Sequence, residues 1–234
     1  MKYISSILYK LTKIYWKERL KREYNEQKYN IINERSIEYS FVFKQLSKLC
    51  PRTILDVGTG RTSLPKLLQH CGYHITAIDN IKEYWTKGMF NRHFHIIDDD
   101  ITNTKINNKF DFIICISVLE HIRKYNEAVD NICSLLNTNG HLVLTFPYNE
   151  KEYIDNIYKS PEATYGANFD YICQIFSRKE IDYWIKKHNL YIIEQQYWKK
   201  FSGDFWTFGK NICPAVQVEK NELHQLTCLL LLKK

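Results

Sequence analysis

The run Thr53-Ile54-Leu55-Asp56-Val57-Gly58-Thr59-Gly60 decides how the rest of the chain is read. Thr53 to Val57 is a short apolar strand, two glycines follow at once, and a helical pattern from Leu64 to His70 begins a few residues later. Glycine lets a backbone approach a ligand closely and tolerates positive φ. The start of the helix adds unpaired N–H groups and a favourable dipole. A Gly-rich turn after the first strand is the ligand crevice of an open α/β sheet. Alone, however, a GxG turn occurs in many unrelated loops.

Downstream, strands are expected at His74 to Ile78, His93 to Ile97, Phe110 to Ile116 and His141 to Phe146. A helix is expected at Asn126 to Leu136, with a turn at Asn139-Gly140. Phe110 to Ile116 is apolar almost throughout, as a parallel strand covered on both faces must be. Lys179 to His188 reads as a helix, and Tyr191 to Gln196 and Leu226 to Leu232 as strands. Residues 198–222, with Gly203, Gly209 and Pro214, read as a long loop. Strands alternating with helices imply right-handed crossovers. The expected fold is a doubly wound, mostly parallel seven-stranded α/β sheet with an N-terminal helical extension.

That extension is assigned to residues 1–50 and the α/β domain to 51–234, with Pro51 marking the break. In residues 3–20, Ile4, Ile7, Leu8, Leu11, Ile14 and Tyr15 recur at helical spacing among Lys10, Lys13 and Lys17. This basic amphipathic helix either docks on the domain or makes peripheral contact with an anionic membrane through residues 1–24. Residues 34–49 form a second helix with Phe41, Val42, Leu46 and Leu49 toward a core.

The net charge of +7 is uneven: residues 1–30 hold eight Lys/Arg and three Asp/Glu, the remainder 25 and 23. A near-neutral body argues against nucleic acid, whose enzymes carry a basic stripe over the working face. Seven scattered cysteines without a CxxC pair form neither a disulfide framework nor a zinc pattern and suit the cytoplasm. No signal peptide is evident, and Leu229 to Leu232 is too short to span a bilayer.

Asp79 ends the second strand about 20 residues past the glycines, the spacing at which a carboxylate accepts from both hydroxyls of a ribose. Asp-Asn is also a good turn pair. The series Ile54 to Gly60, Ala77-Ile78-Asp79, Asp100-Ile101-Thr102, Phe110 to Ile114 with Ser117-Val118-Leu119-Glu120-His121-Ile122, and Leu135-Leu136 with Asn139 to Leu144 resembles, in order, the motifs of class I S-adenosylmethionine (SAM)-dependent methyltransferases. The match covers about residues 53–148, and its general pattern is similar to bacterial methyltransferases of surface-polysaccharide synthesis.

The resemblance implies SAM as cofactor. Asp56, Gly58 and Gly60 would line its methionine part, Asp79 the ribose, Asp100 and the Ile101 backbone the adenine, and Ser117 the methionine end. Asp98-Asp99-Asp100 leaves Asp99 and Asp100 as alternatives for the adenine amino group. Arg35, Glu38 and Tyr39 on the second helix would close over the cofactor. Gly60 is followed by Arg61-Thr62-Ser63, without the third glycine of a dinucleotide site, which opposes a dehydrogenase.

Methyl transfer from a sulfonium asks mainly for alignment. A base is needed only when the acceptor starts protonated. His121 and Tyr148, in the loops after the fourth and fifth strands, are the candidate catalytic residues; for His121 the alternative is a cap or packing role. Ser117 stands where a metal-binding Glu-x-x-Glu-His pattern would need its first glutamate, so no metal is expected. Trp198, Phe201, Phe205, Trp206 and Phe208 form either an acceptor wall or a flap. The favoured acceptor is a hydroxyl of a small molecule or glycan. The alternatives are tRNA, another nucleic acid or a protein as acceptor, or a SAM-binding regulatory or scaffold protein without turnover.

Overall fold

The computed structural model describes residues 2–26, 33–84, 91 and 93–234. The chain divides into two compact units, Met1–Asn33 and Glu34–Lys234. Among its described residues the first holds one helix, α1 (Lys2–Glu26). On it Ile7, Leu8, Leu11, Ile14 and Tyr15 share a stripe, but Glu18 and Arg22 fall on the continuation of that stripe. The amphipathic pattern is thus confined to the first four turns. Among the described residues, no helix is long and apolar enough to cross a membrane.

The second unit is built on one eight-stranded sheet: β1 (Thr53–Val57), β2 (His74–Asp79), β3 (Ile97–Asp98), β4 (Phe110–Ile116), β5 (Leu136–Pro147), β6 (Leu190–Phe201), β7 (Asn211–Val218) and β8 (Leu226–Lys233). The order is β3-β2-β1-β4-β5-β8-β6-β7. The pairs from β3 to β5 are parallel, and β8 runs antiparallel between β5 and β6. The helices are α2 (Arg35–Leu49), α3 (Leu64–His70), α4 (Ile81–Tyr84), α5 (Tyr125–Leu135) and α6 (Arg178–His188).

Strand alternation sorts the core onto two faces. Phe112, Ile114 and Ile116 of β4 join Phe41, Val42 and Leu46 of α2 and Leu64 and Leu68 of α3. Ile113 and Cys115 of the same strand join Ala128, Val129 and Ile132 of α5 and Ile181 and Trp184 of α6. Helix α2 is therefore bonded into the sheet body. Its C-terminus closes on Cys50 in the left-handed region, with Cys50 N donating to Leu46 O, just before Pro51 forbids continuation. Helix α6 begins with a reciprocal capping box between Ser177 and Glu180.

Two expectations are corrected. The sheet has eight strands, not seven, because 198–222 is not a loop throughout: β6 runs on to Phe201 and pairs with β7 as an antiparallel hairpin. Strand β7 lies at the sheet edge with most of its side chains exposed or half-exposed. It carries no apolar run to announce it, and Pro214 is tolerable there because an edge N–H need not enter a ladder. The third strand is only Ile97–Asp98, since His93 to Ile96 make no ladder contacts with β2. A third apolar cluster, Ile157, Tyr158, Cys173, Ile175, Phe201, Trp206, Phe208 and Leu226, joins residues 149–177 to the β6–β7 hairpin.

Candidate active site

The loop leaving β1 has the positive φ angles that its glycines tolerate. Gly58 has φ +71° and Gly60 φ +56°. A Cβ at Gly58 would lie 2.5 Å from a γ-methyl of Val118, so a side chain here would push apart the loops after β1 and β4. Gly58 N and Thr59 N donate to Ile78 O at 2.9 and 3.3 Å. Gly60 N donates to Asp79 Oδ2 at 2.8 Å. Asp79 thus fastens the glycine loop to the tip of β2.

Beside this loop is a narrow cleft lined by Arg35, Tyr39, Asp56, Gly58, Thr59, Thr62, Leu64 and Ile116. Asp56 is 3% exposed, and its Oδ2 has no hydrogen-bond partner. Burial above all pushes its carboxyl up to about 7; Asp79 pushes the same way, while the Thr59 hydrogen bond and Arg35 oppose. A buried carboxyl with an empty acceptor oxygen is a site for a cation or an N–H donor.

The three consecutive aspartates have separate work. Asp98 Oδ1 accepts from Ile81 N and Lys82 N, and its other oxygen pairs with Lys82 Nζ at 2.7 Å. Asp99 is buried and turned into its own loop, accepting from Lys105 N at 3.0 Å and from the Thr104 hydroxyl. Asp100, half-buried, caps the turn Ile101–Asn103 by accepting from Thr102 N and Thr102 Oγ1, each at 2.9 Å. Asn131 Nδ2 donates to Ile101 O at 2.8 Å, fixing that turn against α5.

At the tip of β4, Ser117 has φ +48°, a conformation that costs a non-glycine residue on the order of 1–2 kcal/mol. Ser117 N donates to Thr145 O, and its hydroxyl donates to Glu38 Oε1 at 2.5 Å. The following residues form the single turn Leu119–His121. His121 Nδ1 lies 2.6 Å from Ile172 O. A carbonyl only accepts, so this contact puts a proton on Nδ1, and in the neutral ring Nε2 then keeps its lone pair. Burial foremost, then Arg35, holds the imidazole below its usual pKa, against the raising effect of the Ile172 bond. Its Nε2 is 3.8 Å from Glu120 Oε1 and its ring meets Tyr171 edge-on at 4.9 Å. Glu120 is 3% exposed, with Oε2 unpartnered. Its carboxyl is pushed up to about 8, chiefly by burial, with Glu38 and Glu34 adding and Arg35 and its own backbone opposing.

The sequence reading missed what holds this turn. Gln174 Nε2 reaches the carbonyl oxygens of Leu119, Glu120 and Ile122 at 3.3, 3.3 and 2.9 Å, and Gln174 N donates to Glu120 O. Tyr153 in turn donates its hydroxyl to Gln174 Oε1 at 2.6 Å. The only advance signal was the density of tyrosines and phenylalanines in 153–171. Of these, Tyr171 stacks on Phe169 at 5.0 Å beside the His121 ring. Phe201, Trp206 and Phe208, by contrast, are buried in the third cluster.

Tyr148 is placed elsewhere. It is buried, donates its hydroxyl to Glu150 Oε2 at 2.6 Å, and stacks on His224 at 5.6 Å. Glu150 also pairs with Arg178 and Lys220. None of these residues lines the cleft. Among the described residues, no group of three or more His, Cys, Asp or Glu is arranged to hold a metal ion.

The raised carboxyls carry a sign for stability. A group whose pKa is higher folded than unfolded stabilises fully below the unfolded value and loses that contribution as pH rises through the folded value. For Glu120 the window runs from its ordinary 4.5 to about 8. Glu120→Gln is therefore expected to be more stable than the wild type above pH 8 and to lose less stability between pH 5 and pH 8.5. Urea unfolding across that range checks this; parallel profiles would show that Glu120 is not a buried acid.

A family model described as a methyltransferase domain matches residues 20–195. The ubiquinone biosynthesis O-methyltransferase of Rickettsia canadensis is 29% identical over 118 residues, 48% of this chain and 49% of that protein. That of Rickettsia prowazekii is 28% identical over 140 residues, 54% and 53% of the two chains. The chain spans about half the length of the curated relatives it matches. Among solved structures, magnesium protoporphyrin IX methyltransferase (ChlM) from Synechocystis PCC 6803 with bound SAH superposes with TM-score 0.55 at 14% identity, over 93% of this chain and 94% of that one. TehB from Haemophilus influenzae gives 0.54 at 15% identity, over 83% and 62%. At such identities the structures show a shared fold, and with the family match over residues 20–195, the chain belongs to the methyltransferase-domain family.

Proposed function

We propose that the chain transfers a methyl group from SAM to a hydroxyl of a small molecule or glycan. The observation that carries this reading is a neutral histidine, His121, whose proton is committed to Ile172 O. It stands in the turn that follows Ser117, whose hydroxyl bonds the Glu38 carboxylate that also holds Arg35 of the cleft lining. SAM, when bound, supplies a methyl group activated on a sulfonium. The residues present fit it: Asp56 Oδ2 answers the methionine ammonium, Arg35 the methionine carboxylate, and the glycine loop leaves room for close backbone approach. Asp79 serves the ribose. Asp100 beside the Ile101 backbone serves the adenine, because Asp99 is enclosed in its own loop. Ser117 lies along the methionine end.

On the acceptor side, His121 Nε2 takes the hydroxyl proton as the oxygen is methylated. Tyr171 and Phe169 form the aromatic wall next to it. Tyr148 serves packing, its hydroxyl being spent on Glu150. A near-neutral body disfavours nucleic acid as acceptor. Seven cysteines without a disulfide support a reducing cytoplasm, and the apolar stripe in the first four turns of α1, with Lys10 and Lys13 on other positions of the helix, supports peripheral contact with an anionic membrane.

Calorimetric titration tests the cofactor: SAM and S-adenosylhomocysteine are expected to bind in the micromolar range, and NAD not at all. Because Asp56 sits at about 7, its pairing with an ammonium at pH 7 is expected to release up to about half a proton, read from the heat in buffers of different ionisation enthalpy. No binding by folded protein would defeat the cofactor reading, and binding without proton release would remove Asp56 from it. Asp79→Ala is expected to abolish binding while the protein stays folded; unchanged affinity would defeat that assignment. His121→Ala is expected to lower turnover 10²-fold or more with little change in SAM affinity. In the wild type the depressed His121 pKa keeps the base active below pH 6.5, where an ordinary histidine would protonate. Normal turnover in the variant would take His121 out of the reaction, and a scaffold would release no S-adenosylhomocysteine with any acceptor.

A further inference from the structure

Glu38 stands on the first turn of α2 and is completely buried. A buried carboxylate persists only when donors surround it. Here Ser117 Oγ and Thr145 Oγ1 donate to Oε1 at 2.5 and 2.6 Å, and Arg35 Nη1 donates to Oε2 at 2.5 Å. These three donors come from different places: the tip of β4, the end of β5, and the cofactor cleft. A hydroxyl has one proton to give. Ser117 and Thr145 therefore spend theirs on this carboxylate, and their oxygens are turned toward α2.

Ser117 is the strained residue of the site, with φ +48°. Its neighbours in sequence do two things at once. Val118 packs where a Gly58 Cβ would lie, and Leu119–His121 is the turn that presents the base. Holding Ser117 thus sets the fit of the glycine loop and the aim of His121. Holding Arg35 sets the cation in the cleft. We infer that Glu38 is a positioning residue that couples the two, so that the cation at the methionine end and the turn carrying His121 are aligned by one buried carboxylate. Arg35 and Ser117 then act as one unit though they belong to different elements. This rests on the SAM reading of the cleft.

A double-mutant cycle on Arg35→Ala and Ser117→Ala, read as S-adenosylhomocysteine affinity, tests it. The combined loss is expected to be at least threefold smaller than the product of the single losses. In a Glu38→Gln background, which keeps the size but not the charge, the two losses are expected to multiply. Glu38→Gln alone is expected to weaken binding about tenfold and to lower kcat at saturating SAM, a joint effect that loss of cofactor affinity alone would not give. Multiplicative losses in the wild-type background, or a normal kcat in Glu38→Gln, would overturn the coupling. Hydrogen exchange without ligand gives an independent arm: Glu38→Gln is expected to speed exchange at residues 117–121 and to leave 112–115 protected. Unchanged exchange at 117–121 overturns the proposal. A wild type that binds no cofactor sinks the SAM reading, and exchange then decides for or against Glu38 by itself. Should Glu38→Gln fail to fold, the near-isosteric Thr145→Val, which removes one of the three donors, is read by the same exchange experiment.

Discussion

The loop after β1 touches the loop after β4 only because residue 58 has no side chain. That contact, with Val118 occupying the space of a missing Cβ, sets the spacing on which the site depends. It holds the carboxyl ends of neighbouring parallel strands together, with Asp56 and Gly58 in the cleft lining and Val118 packed against Gly58. The sheet supplies the rest of the rigidity. β4 lies at its centre with alternate side chains in the two main apolar clusters, so neither face of the strand has room to shift.

Around this contact the protein buries more acid than base. Asp56, Asp79, Glu38 and Glu120 are all under a tenth exposed, and the cation lining the cleft is Arg35. Glu38 is matched by three donors, whereas Asp56 and Glu120 each keep an oxygen without a partner. A structure that carries such groups without ligand is less stable than it would be if they were apolar. On the proposed reading, the methionine ammonium of SAM completes the hydrogen bonding of Asp56. The same environment holds His121 below its usual pKa, since desolvation that raises an acid lowers an imidazole.

What was legible in the sequence was local. The strand–glycine turn, Asp79 at its spacing and the apolar β4 all speak through residues close in the chain, and the structure places them together at the strand tips. The turn that carries His121 follows β4 directly. What was not legible acts at long range. Glu38 meets Ser117 and Thr145 across 79 and 107 residues, and Gln174 reaches the His121 turn across more than fifty. No periodicity announces such bonds. Tyr148 shows the converse limit: its position after β5 was read correctly, but only packing decides that its hydroxyl goes to Glu150 rather than the cleft. Strand β7 escaped because an edge strand with little burial leaves no apolar pattern.

The residues that orient His121 do not belong to the sheet. Ile172 takes its ring proton and Gln174 holds its turn, and both lie in the stretch between β5 and α6 that also supplies Tyr171 and Phe169. Such connecting stretches are where related proteins diverge most freely. In this architecture, exchanging that stretch for another would not simply present a new surface to a new substrate. It would also reset whether the histidine is aimed and which nitrogen is basic. On the proposed reading of His121 as the base, selectivity and reactivity are inherited together, and a lineage that changes one must re-establish the other in the same step.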